Sequence, residues 1–96
     1  MGIFFKKRFP FDEPKNTAVI TCCHVVSGKA ILHVSHDEDG MWQFLCESEH
    51  STEEARVVAL GEIVALDRAV SELASMPCGT VADRESVTSA WEICKK

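Results

Sequence analysis

No apolar run in this 96-residue chain is long enough to cross a membrane. The longest stretch free of Asp, Glu, Lys and Arg runs from Asn16 to Gly28, short of the roughly 18 residues a spanning helix needs. Nor is a secretory leader expected from the opening residues. It would require about 7–15 consecutive apolar residues, whereas Ile3, Phe4 and Phe5 are followed at once by Lys6, Lys7 and Arg8. The myristoylation motif that Met1-Gly2 invites wants Ser or Thr at the position Lys6 holds. Proline and glycine are scarce, at three and five. With 46% hydrophobic and 26% charged residues, that excludes a disordered or fibrous chain. The five cysteines, at 22, 23, 46, 78 and 94, include no Cys-x-x-Cys pair and are odd in number. A disulfide framework is therefore not expected, and the chain reads as cytoplasmic with reduced thiols.

Catalytic signatures are equally thin. There is no Gly-x-Ser-x-Gly, no glycine-rich phosphate loop and no His-Glu-x-x-His. Cys46 with His50, or Cys78 with a histidine remote in sequence, would make a thiol–imidazole pair only if the fold brought them together.

What is present begins with charge. The formal net charge is −5, made of +2 over residues 1–16 and −7 over the rest. An acidic body argues against nucleic acid, whose phosphates need clustered Lys and Arg. It suits a basic protein partner, although acidic surfaces also serve solubility.

One domain is expected, because a chain this short supports a single core. Residues 1–16 form a basic, aromatic lead-in that Pro10 and Pro14 keep from being helical. Its phenylalanines are expected to pack on the edge of the domain at 17–96. Ala18 to Val26 is β-branched and reads as a strand. Ala30 to Ser35 reads as a second, and the short Ser27–Lys29 link predicts an antiparallel hairpin between them. His36 to Gly40 makes an acidic turn, then Met41 to Cys46 a third strand. Alternation puts Trp42, Phe44 and Cys46 on the core side and Met41, Gln43 and Leu45 on the other.

Ser51-Thr52-Glu53-Glu54 resembles one turn of helix with a hydroxyl cap, and Arg56 to Ala59 a short fourth strand. Leu60, Ile63, Leu66, Val70 and Leu73 step at helical spacing, with Asp67 placed to cap a second short helix and Pro77-Cys78-Gly79 to end it. Thr80 to Cys94 then reads as a last strand or hairpin. The sum is an α+β fold: an antiparallel sheet, with a three-stranded meander, packed against one or two short helices.

Two ligand readings fail on spacing. Cys22, Cys23, His24, His33, His36, Cys46 and His50 are zinc-type residues, but adjacent Cys22 and Cys23 would point to opposite faces of a strand. Buried cysteines acting as small apolar residues are the simpler account. Aligning Gly40 with the glycine of a calcium loop puts Ser35 and Cys46 where acids belong. No cofactor is expected. Trp42 and Trp91 are read as core, with interface anchoring the alternative.

Asp39-Gly40-x-Trp42-x-Phe44, Leu60-Gly61-Glu62-Ile63, Asp67, Leu73, Pro77-x-Gly79 and Arg84-Glu85 together resemble a pattern in small uncharacterised bacterial proteins. More remotely, the chain resembles the immunity-protein-33-like domain family of bacterial toxin systems. The pattern covers about residues 18–94, and it departs where Cys46-Glu47-Ser48 replaces a glycine expected after the Trp-x-Phe strand. The resemblance implies an α+β domain that binds and neutralises a toxin, with no catalytic residues. On that reading Asp37, Glu38, Asp39, Glu47, Glu49 and His50 face a basic partner such as a toxin, with neither nucleic acid nor membrane involved. A small metal-dependent or thiol enzyme, and a homodimeric structural module using the outer sheet face, are the alternatives.

Overall fold

A computed structural model describes residues 9–47, 49 and 51–96. It is an α+β domain, as the sequence predicts, built on one six-stranded sheet. In chain order the elements are β1 (Ala18–Cys22), a single helical turn α1 (Cys23–Val26), β2 (His33–His36), β3 (Trp42–Leu45), a 3₁₀ turn (Thr52–Glu54), β4 (Ala55–Ala59), α2 (Leu60–Leu66), a 3₁₀ helix (Arg68–Leu73), β5 (Thr80–Asp83) and β6 (Glu92–Lys95).

The strand order is β4-β1-β3-β2-β5-β6, and β1 runs parallel to β3 while every other neighbouring pair is antiparallel. The expected antiparallel sheet is thus corrected to a mixed one. The expected hairpin between the first two strands does not form either: β3 is inserted between them.

The cause lies at Cys23. The β-branched run Ala18 to Val26 continues past Cys22, but the ladder with β4 ends at Cys22 opposite Ala55. Beyond it, backbone groups are satisfied by a helical turn, with Ser27 N–H donating to Cys23 O, Gly28 to Val25 O and Lys29 to His24 O, at 3.0, 3.0 and 2.9 Å. That turn buries Val25 to 1% exposure. The link to β2 consequently runs over residues 23–32 and is long enough to step across a strand position, about 4.8 Å per strand. The β2–β3 and β5–β6 pairs are the antiparallel hairpins the sequence predicts, although β2 spans His33–His36 rather than Ala30 to Ser35 and β6 begins only at Glu92.

One face of the sheet carries the core. Val19, Val34, Trp42, Phe44 and Ala82 pack with Leu60, Ile63, Val70, Leu73 and Met76, and burying each large side chain stabilises by about 2–3 kcal/mol. Cys46 is buried, and Leu45, placed by alternation on the face away from the core, is likewise only 8% exposed. Phe11 from the lead-in is in the core at 4% exposure, edge-on to Trp42 at 5.1 Å between ring centres. Residues 1–8 lie outside the described part.

The helical stripe is broken where the sequence places its cap. Asp67 leaves helical geometry at φ −153° and accepts from Ala69 N–H at 3.0 Å. Leu66, expected in the apolar stripe, is the last residue of α2 and is 57% exposed, while Val70 and Leu73 beyond the break are buried as expected. The start of α2 has no side-chain cap; Leu60 N–H donates to Thr17 O and Gly61 N–H to Lys15 O, both at 2.8 Å. Gly61 permits that approach, since a Cβ there would stand 3.3 Å from Lys15 Cβ and carbonyl oxygen.

Candidate functional site

The strand directions gather the polar residues into two groups, one at each end of the sheet. At the first end lie the start of β3, the end of β2, the start of β5 and the end of β6. Asp37 follows β2 here and is a hub: Ser35 Oγ donates to it at 2.5 Å, Gln43 Nε2 at 2.8 Å, and the Lys96 ammonium closes an ion pair. Burial alone would raise the Asp37 carboxyl, but the hydrogen bonds from Lys96, Ser35 and Gln43 and the Lys96 charge outweigh it and hold the group below the ordinary carboxylate value. Asp39 is spent within its own turn, accepting from Met41 N–H at 2.9 Å. Glu38 is exposed and packs beside Gly79. Gly40, at φ +91°, supplies the left-handed residue this turn needs.

His36 stands at the same end. Its ring stacks on Trp42 with 3.8 Å between centres and 12° between planes, and Trp42 Nε1–H donates to Glu13 Oε2 at 3.0 Å. His36 Nδ1 is 2.7 Å from Met76 O. A carbonyl oxygen only accepts, so Nδ1 carries the hydrogen and Nε2 of the neutral ring is the acceptor. Cys78 Sγ, exposed to solvent, lies 3.7 Å from that Nε2. The remote histidine that Cys78 required is therefore His36, which sequence spacing alone could not identify.

The opposite end holds the residues after β3, the 3₁₀ turn before β4, the end of β5 and the start of β6. Glu47, Glu49, Glu53, Asp83 and Glu92 are all exposed there. Asp83 and Glu92 are direct cross-strand partners, an arrangement of like charges that costs energy. His33 Nδ1 offsets it from β2 at 2.6 Å from Asp83, and His24 stands 3.5 Å from Glu54. Arg84 is turned inward to Asp67 and Ile31 O.

Of the residues expected to form one acidic surface, the structure keeps Asp37, Glu38 and Asp39 together and places Glu47 and Glu49 at the far end of β3. His50 lies outside the described residues. The zinc-type residues are similarly dispersed. Cys22 and Cys46 face each other at 3.8 Å between sulfurs, and burial together with Cys22 pushes the Cys46 thiol up to about 11. Cys23 is half-buried, while His24, His33 and His36 each contact a different group. Among the described residues no three of His, Cys, Asp or Glu gather as a metal site. No helix there is long and apolar enough to cross a membrane.

No family model matches this chain, and no curated protein or solved structure is significantly similar to it.

Proposed function

We propose that this is a bacterial cytoplasmic domain that acts by binding a basic protein, an immunity-like inhibitor of a toxin being the most specific form of that reading. The observation that carries it is the row of exposed acids along one end of the sheet, Glu53 beside β4 at one edge, Glu47 and Glu49 after β3, and the cross-strand pair Asp83 and Glu92 at the other edge. Cross-strand repulsion between Asp83 and Glu92 is relieved when a cationic surface approaches, and opposite charge accelerates the encounter. Asp37 contributes less, since Lys96 already neutralises it.

The test is capture of a partner from the native host at low and high salt, followed by the same experiment with Glu47, Glu49 and Glu92 reversed to Lys. The reading expects a basic partner lost at high salt and bound at least about tenfold more slowly by the reversed variant. Absence of any salt-sensitive partner, with no toxin gene beside this one, would overturn it.

A homodimeric module is favoured by a separate observation: on the edge strand β4, Val57 is 69% exposed opposite Ile20. Edge strands with exposed apolar residues pair readily with a second copy. Light scattering across a concentration series decides it, a monomer mass throughout excluding the module.

A further inference from the structure

We propose that Cys78 and His36 form a thiol–imidazole pair that exchanges with small disulfides, a chemical site independent of the binding surface at the other end of the sheet. Three features make the pair a built arrangement. First, His36 is held on all sides that matter: its ring is stacked on buried Trp42, its Nδ1–H is committed to Met76 O, and its own carbonyl accepts from Gly79 N–H at 2.7 Å. Met76 and Gly79 flank Cys78 in sequence, so the segment that carries the thiol is pinned to the histidine at both ends.

Second, the turn between them is fixed. Gly79 adopts φ +85°, Thr80 Oγ1 donates to Pro77 O at 2.6 Å, and Lys96 N–H donates to Gly79 O at 2.9 Å. Cys78 is therefore presented outward with Nε2 at 3.7 Å. A base oriented by a third group and within reach of a nucleophile is the general pattern of an activated thiol.

Third, the arrangement separates Cys78 from the other thiols. Cys22 and Cys46 are buried in the core, Cys23 is half-buried at the start of α1, and Cys94 is exposed on β6 on the face opposite the His36 ring. Charged groups near the pair include Glu38, which packs beside Gly79, Glu13, which accepts from the Trp42 indole under the His36 ring, Lys95, cross-strand from Thr80 on the His36 face, and the Asp37–Lys96 ion pair, which is internally neutral. Glu38 opposes a thiolate, so proton acceptance by His36 is what makes the sulfur nucleophilic.

The step balances without a further oxidant. Cys78 passes its proton to His36 Nε2, and its sulfur attacks one sulfur of the disulfide. That S–S bond breaks and a new one joins Cys78 to the attacked half. The other half leaves as a thiolate and takes the proton from the imidazolium, so one thiol and one disulfide are consumed and one of each is formed.

The experiment treats the folded chain with dithiodipyridine, a small neutral disulfide, and follows thiopyridone release while peptide mass spectrometry assigns the modified cysteine. At neutral pH, Cys78 is expected to react at least about tenfold faster than Cys94. In His36→Gln the Cys78 rate falls to that of Cys94 while Cys22 and Cys46 stay unreactive. If His36 were only structural, the substitution would instead loosen the core and speed the buried thiols. Equal rates for Cys78 and Cys94 in the unaltered protein, or an unchanged Cys78 rate in folded His36→Gln, would overturn the proposal. Should the variant not fold, the rate ratio of Cys78 to Cys94 in the unaltered protein decides it.

Discussion

The guanidinium of Arg84 lies 4.2 Å over the ring of Trp91 while forming an ion pair with Asp67. Its side chain is 1% exposed, and its Nε and Nη2 both donate to Ile31 O, at 3.1 and 2.9 Å. One side chain thus ties the break between α2 and the 3₁₀ helix, the entry to β2 and the loop before β6. Trp91 completes the link by donating Nε1–H to Ala69 O at 3.2 Å.

Removing Arg84 leaves Asp67 and the Ile31 carbonyl without their buried partner. Arg84→Ala is expected to cost about 3 kcal/mol, the range for breaking a buried ion pair. Arg84→Lys recovers only part, because an ammonium cannot match the planar fork that reaches Ile31 and Asp67 together. Urea unfolding followed by far-UV circular dichroism measures both; a loss below about 1 kcal/mol for the alanine variant would mean the pair behaves as an exposed one.

Asp37 predicts a pH dependence. Its folded-state carboxyl is held below the ordinary value of 3.8. The stabilisation tied to that shift is therefore present above the unfolded value and is lost as the pH falls through the folded one. Asp37→Asn removes the titration, so the fall in stability between neutral and strongly acidic solution becomes shallower. Denaturation midpoints at a series of acidic pH values report the slope, and identical slopes for the two proteins would exclude a role for Asp37.

Cys46 predicts the opposite limb. Its thiol is pushed up from 9.0 to about 11 by burial and by Cys22. The unfolded chain ionises first, so the associated stabilisation is complete below 9.0 and is lost as the pH rises toward about 11. Cys46→Ala lowers stability at neutral pH by removing packing, yet declines less steeply in alkali. An unaltered alkaline slope would count against the assignment.

Gly79 holds the turn that presents Cys78. An alanine there is strained at φ +85°, and its Cβ would meet Glu38 Oε2 at 3.4 Å. The expected cost is about 1–2 kcal/mol, read from thermal or urea unfolding. If strain is relieved by moving the turn, Cys78 also loses its approach to His36, and its reaction with dithiodipyridine slows in parallel.

Several elements were legible from residues alone because their signals are local. The Asp67 cap, the fourth strand and the burial of Trp42 and Phe44 follow from side-chain type and spacing, as does the turn at Thr52–Glu54, although that turn is 3₁₀ and the expected hydroxyl cap is absent, Ser51 making no side-chain cap bond. Where the reading missed, the deciding contact was distant. Nothing in Ala18 to Val26 reveals that its ladder ends at Cys22, because that limit is set by Ala55. Leu66 carries the right spacing for the core, but it is the last residue of α2, where the chain leaves helical geometry at Asp67, and it is exposed.

The same division separates the two functional groups. The acidic balance of the chain, its thiols and its single-core size are properties of composition, and the sequence by itself determined them. The partition of the acids between the two ends of β3, and the meeting of His36 with Cys78 across 42 positions, were decided only by the tertiary structure. The physical reason is that strand order and register are chosen by which apolar faces can be buried together. Charged and reactive side chains are then carried to wherever that choice leaves them.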